Sequence, residues 1–182
     1  MTAKEETAKR LHLRRKLLFT KTDPLLLPLE EKLSVASRIA VALWAFEICG
    51  KIKDELDREE KEQAEEAIEI CRQWMNGNVK MNKARYAILA LHHSAGEKDP
   101  VTQAKMHAIA QGISCVHTPS HAMGIPIYYF TSLIREYGIE DGFEKCMKTI
   151  KEYEEILGEY CKTSSDSSVR YAQFLYNERN YK

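Results

Sequence analysis

At 182 residues the chain has room for one domain with a substantial core, but not for two comfortable ones. Hydrophobic residues at 44% and charged residues at 30% exclude a disordered chain, and 8 Gly with 5 Pro leave little material for the turns of a β-sandwich. A formal net charge of zero argues against a polyanionic partner, so no nucleic-acid binding is expected.

Residues 4–19 alternate basic and apolar groups at helical spacing. Leu11, Leu17 and Leu18 share a face, and Lys9, Arg10, Arg14, Arg15 and Lys16 cover the rest, which predicts a basic N-terminal helix. Asp23-Pro24 through Pro28 breaks the pattern, because proline disfavours the α conformation in the residue before it; this is the expected hinge. A second helix is predicted from Ser34 to about Lys53. Its apolar positions surround nearly the whole circumference, as in a central helix.

The third helix is the clearest. Ala64, Ala67, Ile68, Cys71, Trp74 and Met75 recur at three- and four-residue steps, marking one buried stripe. Glu59, Glu62, Glu65, Glu66 and Glu69 occupy the other face, and Gly77 sits where a left-handed cap is wanted. Asn82 is the expected N-cap of a fourth helix that stops at Gly96. Asp99-Pro100 reads as an N-cap followed by proline at the first helical position. It opens a fifth helix of small and apolar residues, placed at the centre beside the second. Pro119 either kinks this helix or starts a new one capped by Thr118. The pattern resumes through Ile125, Tyr128 and Leu133 to Gly138, and a last helix runs from Glu140 to about Cys161. Ser164 to Ser168 reads as a polar linker, followed by a tail rich in Tyr171, Phe174, Tyr176 and Tyr181.

The expected architecture is all-α: a single domain built as an irregular bundle of six or seven helices. Residues 1–27 form the basic helix and hinge, 28–162 the helical core, and 163–182 a tail packing on it. Cys49, Cys71 and Cys115 fall in apolar helical patterns and no CxxC is present, which suits small core hydrophobes in a reducing compartment. The N-terminus has no apolar signal region, and the longest apolar run, Ile39 to Phe46, is too short to cross a bilayer. A cytoplasmic protein without membrane contact is expected.

Chemistry-bearing constellations are few. No G-x-S-x-G, phosphate loop or dinucleotide fingerprint is present, so no catalytic residue is expected. His117 and His121, four apart, would share a face of a continuous helix and are the candidate metal ligands. His107 shares one polar strip with Ser114 and His121, but lies about 21 Å along the helix from His121 and cannot be a third ligand. The expectation is therefore a structural pair, with no metal and no cofactor. A metal-binding protein or enzyme built on the pair is the alternative. His92 and His93 point about 100° apart on a helix, so at most one faces the core, and the default for the pair is to face solvent or cap.

Charge is distributed unevenly. Asp54, Glu55, Asp57, Glu59, Glu60, Glu62, Glu65, Glu66 and Glu69 face only Arg58 and Lys61 in that stretch, while the first 21 residues are basic. The acidic face, with Glu59, Glu62 and Glu66 as its expected contacts, is a candidate docking surface for a basic partner. The basic first helix is one occupant for it, within the chain or across a homodimer. A plain oligomerisation module is the other alternative.

These motifs, in their order, resemble a known family: the helical putative immunity protein family numbered five, encoded beside bacterial polymorphic toxins. Leu43-Trp44-Ala45 is followed by Cys49. Ala67-Ile68 is followed by Arg72-Gln73-Trp74 and Gly77. His117 is followed by His121-Ala122 and Tyr128. The resemblance spans about residues 36–137. The chain departs from it before the Ala-Ile helix, where Asp57-Arg58 and acidic residues stand in place of the family's Asp-x-Arg-Pro. The resemblance implies a helical fold and non-catalytic neutralisation of a cognate toxin by binding. The family-motif positions it marks are Trp44, Arg72, Trp74, His117, His121 and Tyr128.

Overall fold

The computed structural model describes residues 2–165 and 168–177. Thr2 opens α1 (Ala3–His12) with a reciprocal capping box to Glu5, which satisfies donors that the first helical turn cannot pair. The expected extension of this helix to residue 19 does not form. Arg14 takes a left-handed φ of 53°, and the chain beyond it leaves the helix and inserts Leu18 and Phe19, both fully buried, into the core. Leu18 N donates to Thr131 Oγ1 at 3.1 Å, and Phe19 packs edge-on against Phe130. Arg10 pairs with Asp23 at 2.8 Å.

The expected break at Asp23-Pro24 is a turn, and only its far end enters a helix. Pro28 lies in the first turn of α2 (Leu27–Val35), where a missing N–H costs nothing, and Leu29 and Leu33 are buried. The helix expected from Ser34 is likewise corrected. The chain turns out at Ala36 and restarts as α3 (Arg38–Lys53), with Ser37 Oγ accepting from Ala40 N at 3.1 Å.

In α4 (Arg58–Met75) the whole predicted stripe is buried. Gly77, at φ 79°, closes the helix: its own N–H reaches Trp74 O at 2.9 Å and that of Asn78 reaches Gln73 O at 2.8 Å, the paired bonds of a Schellman cap. For α5 (Met81–Ala95) the residue at the N-cap is Lys80 and Asn82 lies inside the first turn, so the expected Asn82 cap is not used. Asp99 caps α6 (Pro100–Ser114) as expected, accepting from Val101 N and Thr102 N.

The chain breaks before Pro119. Thr118 takes an extended conformation, φ −124° and ψ 95°, as a residue before proline must, but its side chain makes no cap. A 3-10 turn, Pro119–Met123, leads into α7 (Gly124–Thr163), which Gly138 interrupts at φ 78°. The backbone at Gly138 is not helical, so the expected boundary between the helix ending there and the last helix beyond it is present as a kink in α7.

Among the described residues there are seven α-helices, two short 3-10 turns and no strand, so the all-α bundle is the fold. Helices α3 and α6 lie at its centre, packed on each other and on α7. Trp44 is fully buried, donates from Nε1 to Tyr153 O at 2.9 Å and meets that ring edge-on. The basic α1 lies on α7, with Lys4 paired to Glu140, and not on the acidic α4. The tail forms one 3-10 turn, Gln173–Tyr176, with Phe174 stacked on Trp74 at 5.4 Å between ring centroids. Tyr181 lies outside the described residues. Cys49, Cys71, Cys115 and Cys146 are buried free thiols and Cys161 is exposed; burial pushes Cys71 up to about 12, which keeps it a protonated core residue.

Candidate functional site

Helix α5 lies at the edge of the bundle. Only Ala84, Leu91 and Ala95 of its residues are buried, and its outer side carries Met81, Tyr86 and Leu89 at 44%, 74% and 50% exposure. Exposed side chains of this size, grouped on one helix, mark a contact surface rather than scattered surface apolar residues. A groove runs along each flank. The first, of about 460 Å³, lies between α4 and α5 and is lined by Gln63, Glu66, Ile70, Tyr86, Ala90 and Ser94 among others. The second, of about 330 Å³, lies between α5 and the Pro119 turn, with Trp74, Met81, Arg85, Ile88, Leu89, Ser114, His117, Thr118 and His121 around it.

Glu59, Glu62 and Glu66 are all exposed on α4, as the helical spacing implies. The face is nonetheless less anionic than the sequence suggests. Glu62 pairs with Arg58 at 2.9 Å and Glu59 with Lys98 at 3.7 Å. Lys98 also reaches Glu60 at 2.6 Å and holds that carboxyl below its usual range. Lys53 and Lys61 answer Glu65 and Asp54. Glu66, which has no ion pair or hydrogen bond among the described residues, stands at the rim of the first groove.

The two candidate ligand histidines do not share a helix, because the chain breaks between them. His117 lies in the loop with its ring 6.1 Å from Trp74, and His121 lies in the 3-10 turn. Among the described residues no group of three or more His, Cys, Asp or Glu is placed to hold a metal ion. Ser114 Oγ gives its proton to Gln111 O at 2.7 Å and lies 2.7 Å from His121 Nδ1. A hydroxyl has one proton to give, so Nδ1 carries the hydrogen of that second bond and Nε2 is left as an open acceptor.

The polar strip predicted on α6 is divided in two: Ser114 engages His121, whereas His107 engages His92 across helices, Nδ1 to Nδ1 at 2.8 Å. Of the adjacent pair, His92 is the one that turns inward, half-buried against α6, while His93 is exposed. One ring of this pair must accept, so both cannot be protonated in place. Burial, then His92 and Lys16, push His107 down to about 4 from 6.5; burial, His121 and Lys16 lower His92. Both groups bind protons less readily folded than unfolded. Their contribution is therefore present above about pH 6.5 and is lost as pH falls from about 6.5 toward about 4. Urea unfolding across that window should show declining stability, and a His107→Gln variant should show a flatter decline.

The family-motif residues separate by role. Trp44 is core, and Arg72 lies over the Phe46 ring at 5.4 Å. Tyr128 packs on His107 at 5.3 Å. Trp74, His117 and His121 gather at the second groove. Sequence reasoning passed over Met81, Arg85 and Leu89, although their four-residue spacing, which sets them on one face of the helix, was a usable signal. It also passed over Lys105, a buried ammonium held between Glu55 at 3.1 Å and Glu136 at 2.9 Å.

No described helix is long and apolar enough to cross a membrane. Neither the curated proteins nor the solved structures contain a match to this chain. A family model described as Imm-5 like putative immunity protein matches residues 31–156, from within α2 into α7. That span holds the α5 ridge, both grooves and every motif position above, and the chain belongs to the Imm-5 like putative immunity protein family.

Proposed function

We propose that this protein binds a cognate toxin domain in the cytoplasm and neutralises it by occupation, without catalysis, through the α4–α5 face. The observation that carries the reading is the exposed apolar ridge of Met81, Tyr86 and Leu89, flanked by two grooves, the first with Glu66 at its rim. Protein interfaces commonly combine an aromatic or apolar centre with a polar rim that excludes water. Family membership supplies the kind of partner, and the unpaired Glu66 favours a toxin surface that is basic where it meets α4.

The test begins with affinity capture from the native host and an assay of whether the captured toxin loses its activity at one equivalent. Tyr86→Ala should fold normally and weaken the complex by about 2 kcal/mol or more, mainly through faster dissociation. A Glu59→Lys, Glu62→Lys, Glu66→Lys triple variant should also fold, since each internal ion pair it disrupts is exposed and contributes only about 0–1 kcal/mol. Its association should be about tenfold slower at low ionic strength, converging on the wild-type rate as salt screens the field. Wild-type rates at all salt concentrations would remove the acidic face from the interface. Unchanged neutralisation by both variants would overturn the reading.

A further inference from the structure

We propose that the groove between α5 and the Pro119 turn is a carboxylate-binding pocket that seats an acidic side chain of the protein partner, held by the Arg85 guanidinium and by Nε2 of His121. This rests on the protein-binding reading above and names what the second groove takes.

The argument is one of charge and hydrogen-bond inventory. The lining contains a guanidinium, two imidazoles and two hydroxyls, with Trp74, Ile88 and Leu89 as apolar walls, and no carboxylate. Arg85 has no ion pair or hydrogen bond among the described residues, unlike the cations of α4, which are answered within the chain. The titratable groups acting on this flank are all cationic or neutral. Burial and then His117 lower His121, which keeps its ring neutral until a carboxylate is seated, and burial, His121 and Lys16 lower His92. Across α5 the sign reverses, where Glu66 borders the first groove. A partner lying over the ridge therefore meets an acidic flank on one side and a cationic one on the other, which fixes its orientation.

His121 adds a proton step. Its Nδ1–H is committed to Ser114, so the neutral ring presents a lone pair on Nε2, which repels a carboxylate. Uptake of one proton from solvent at Nε2 turns that atom into a donor and forms a charge-assisted bond. Seating a carboxylate is thus linked to protonation of His121, with Arg85, His117 and His92 the charged or titratable neighbours and no carboxylate in the lining among the described residues. Affinity should rise as pH falls through the imidazole range, which a bond to Arg85 alone would not do.

The experiment uses the full chain, with phenylacetate as probe and phenylacetamide as its uncharged counterpart, followed by histidine-ring NMR and by calorimetry in buffers of different ionisation enthalpy. Phenylacetate should saturate with a dissociation constant on the order of 1–10 mM, the range for a ligand of about ten heavy atoms. It should perturb His121 and His117 and take up a proton, binding about tenfold more tightly near pH 6 than near pH 8. Arg85→Ala should weaken it about tenfold, while Lys83→Ala, on the same helix but outside the groove, should leave it unchanged. His121→Gln should keep the dependence on Arg85 and lose the pH dependence. Arg85 and His121 are both exposed, so these variants fold. Equal binding of the amide, wild-type affinity in Arg85→Ala, or no saturable shift at His121 would each overturn the pocket. Probe and neutralisation assay fail separately: loss of probe binding leaves the α5 ridge untouched, and absence of neutralisation leaves the probe result standing. With the captured toxin, saturating phenylacetate should speed dissociation of the wild-type complex but not of the Arg85→Ala complex; no effect on the wild-type complex would overturn the assignment of the occupant.

Discussion

Trp74→Ala should lose about 3–5 kcal/mol of folding stability, the usual cost of emptying a core site of a large aromatic. Trp74 is 6% exposed and closes the C-terminal end of α4. It supports Phe174 on one side at 5.4 Å and His117 on another at 6.1 Å, so one indole joins α4, the tail and the loop before Pro119. Removing it leaves a cavity that these elements cannot jointly close, since Arg38 holds the carbonyls of Phe174 and Val116 at 3.0 Å each. Trp74→Phe keeps most of the apolar contact and should cost much less, about 1–2 kcal/mol. Hydrogen exchange should show residues 172–176 opening in the alanine variant before the core does. A Trp74→Ala protein with wild-type stability would mean that the indole is not part of the core.

Gly112→Ala, a change that would often be favourable within a helix, should instead destabilise by about 1–3 kcal/mol through overpacking. A methyl group at position 112 would run into Cys49 Sγ and would lie 2.8 Å from Ile125 Cδ1. Helices α3 and α6 approach at this point, at the centre of the bundle, where neither side chain has free space to enter. Cys49→Ala removes the sulfur from the clash, so the double variant should be more stable than the sum of the two single losses. Chemical unfolding of all four proteins checks this. Strict additivity would place the cost elsewhere.

The helices legible in the sequence were those whose signals are local. The Ala64 to Met75 stripe repeats over several turns, Gly77 supplies a positive φ, and Asp99-Pro100 supplies a cap and a preset φ. Each is a short-range steric or hydrogen-bonding preference, and each reappears in the structure. The expectations that failed were of another kind. Residues 13–19 carry a helical pattern, but the chain leaves the helix at Arg14 and its Leu18 and Phe19 are held instead by long-range contacts to Thr131 and Phe130 on α7. Ser34 and Asn82 are plausible capping residues, but Ser37 and Lys80 stand at the caps because packing selects which turn begins the helix. A boundary shifted by a few residues costs little locally, so local preference cannot choose it.

The sequence by itself determined the class of fold, the central place of the Trp44 and Gly112 helices, and the order of motifs that belongs to the family, because periodicity and composition encode burial. Only the tertiary structure decided how the surface is arranged. It put basic partners from other segments against Glu59, Glu60 and Glu65, set His92 against His107, separated His117 from His121 by a break, and raised Met81, Tyr86 and Leu89 between two grooves of opposite charge. The physical reason is range. Hydrophobic spacing acts within a few residues along the chain, whereas pairing and exposure depend on which distant segment is brought alongside, and that is settled by packing the whole core.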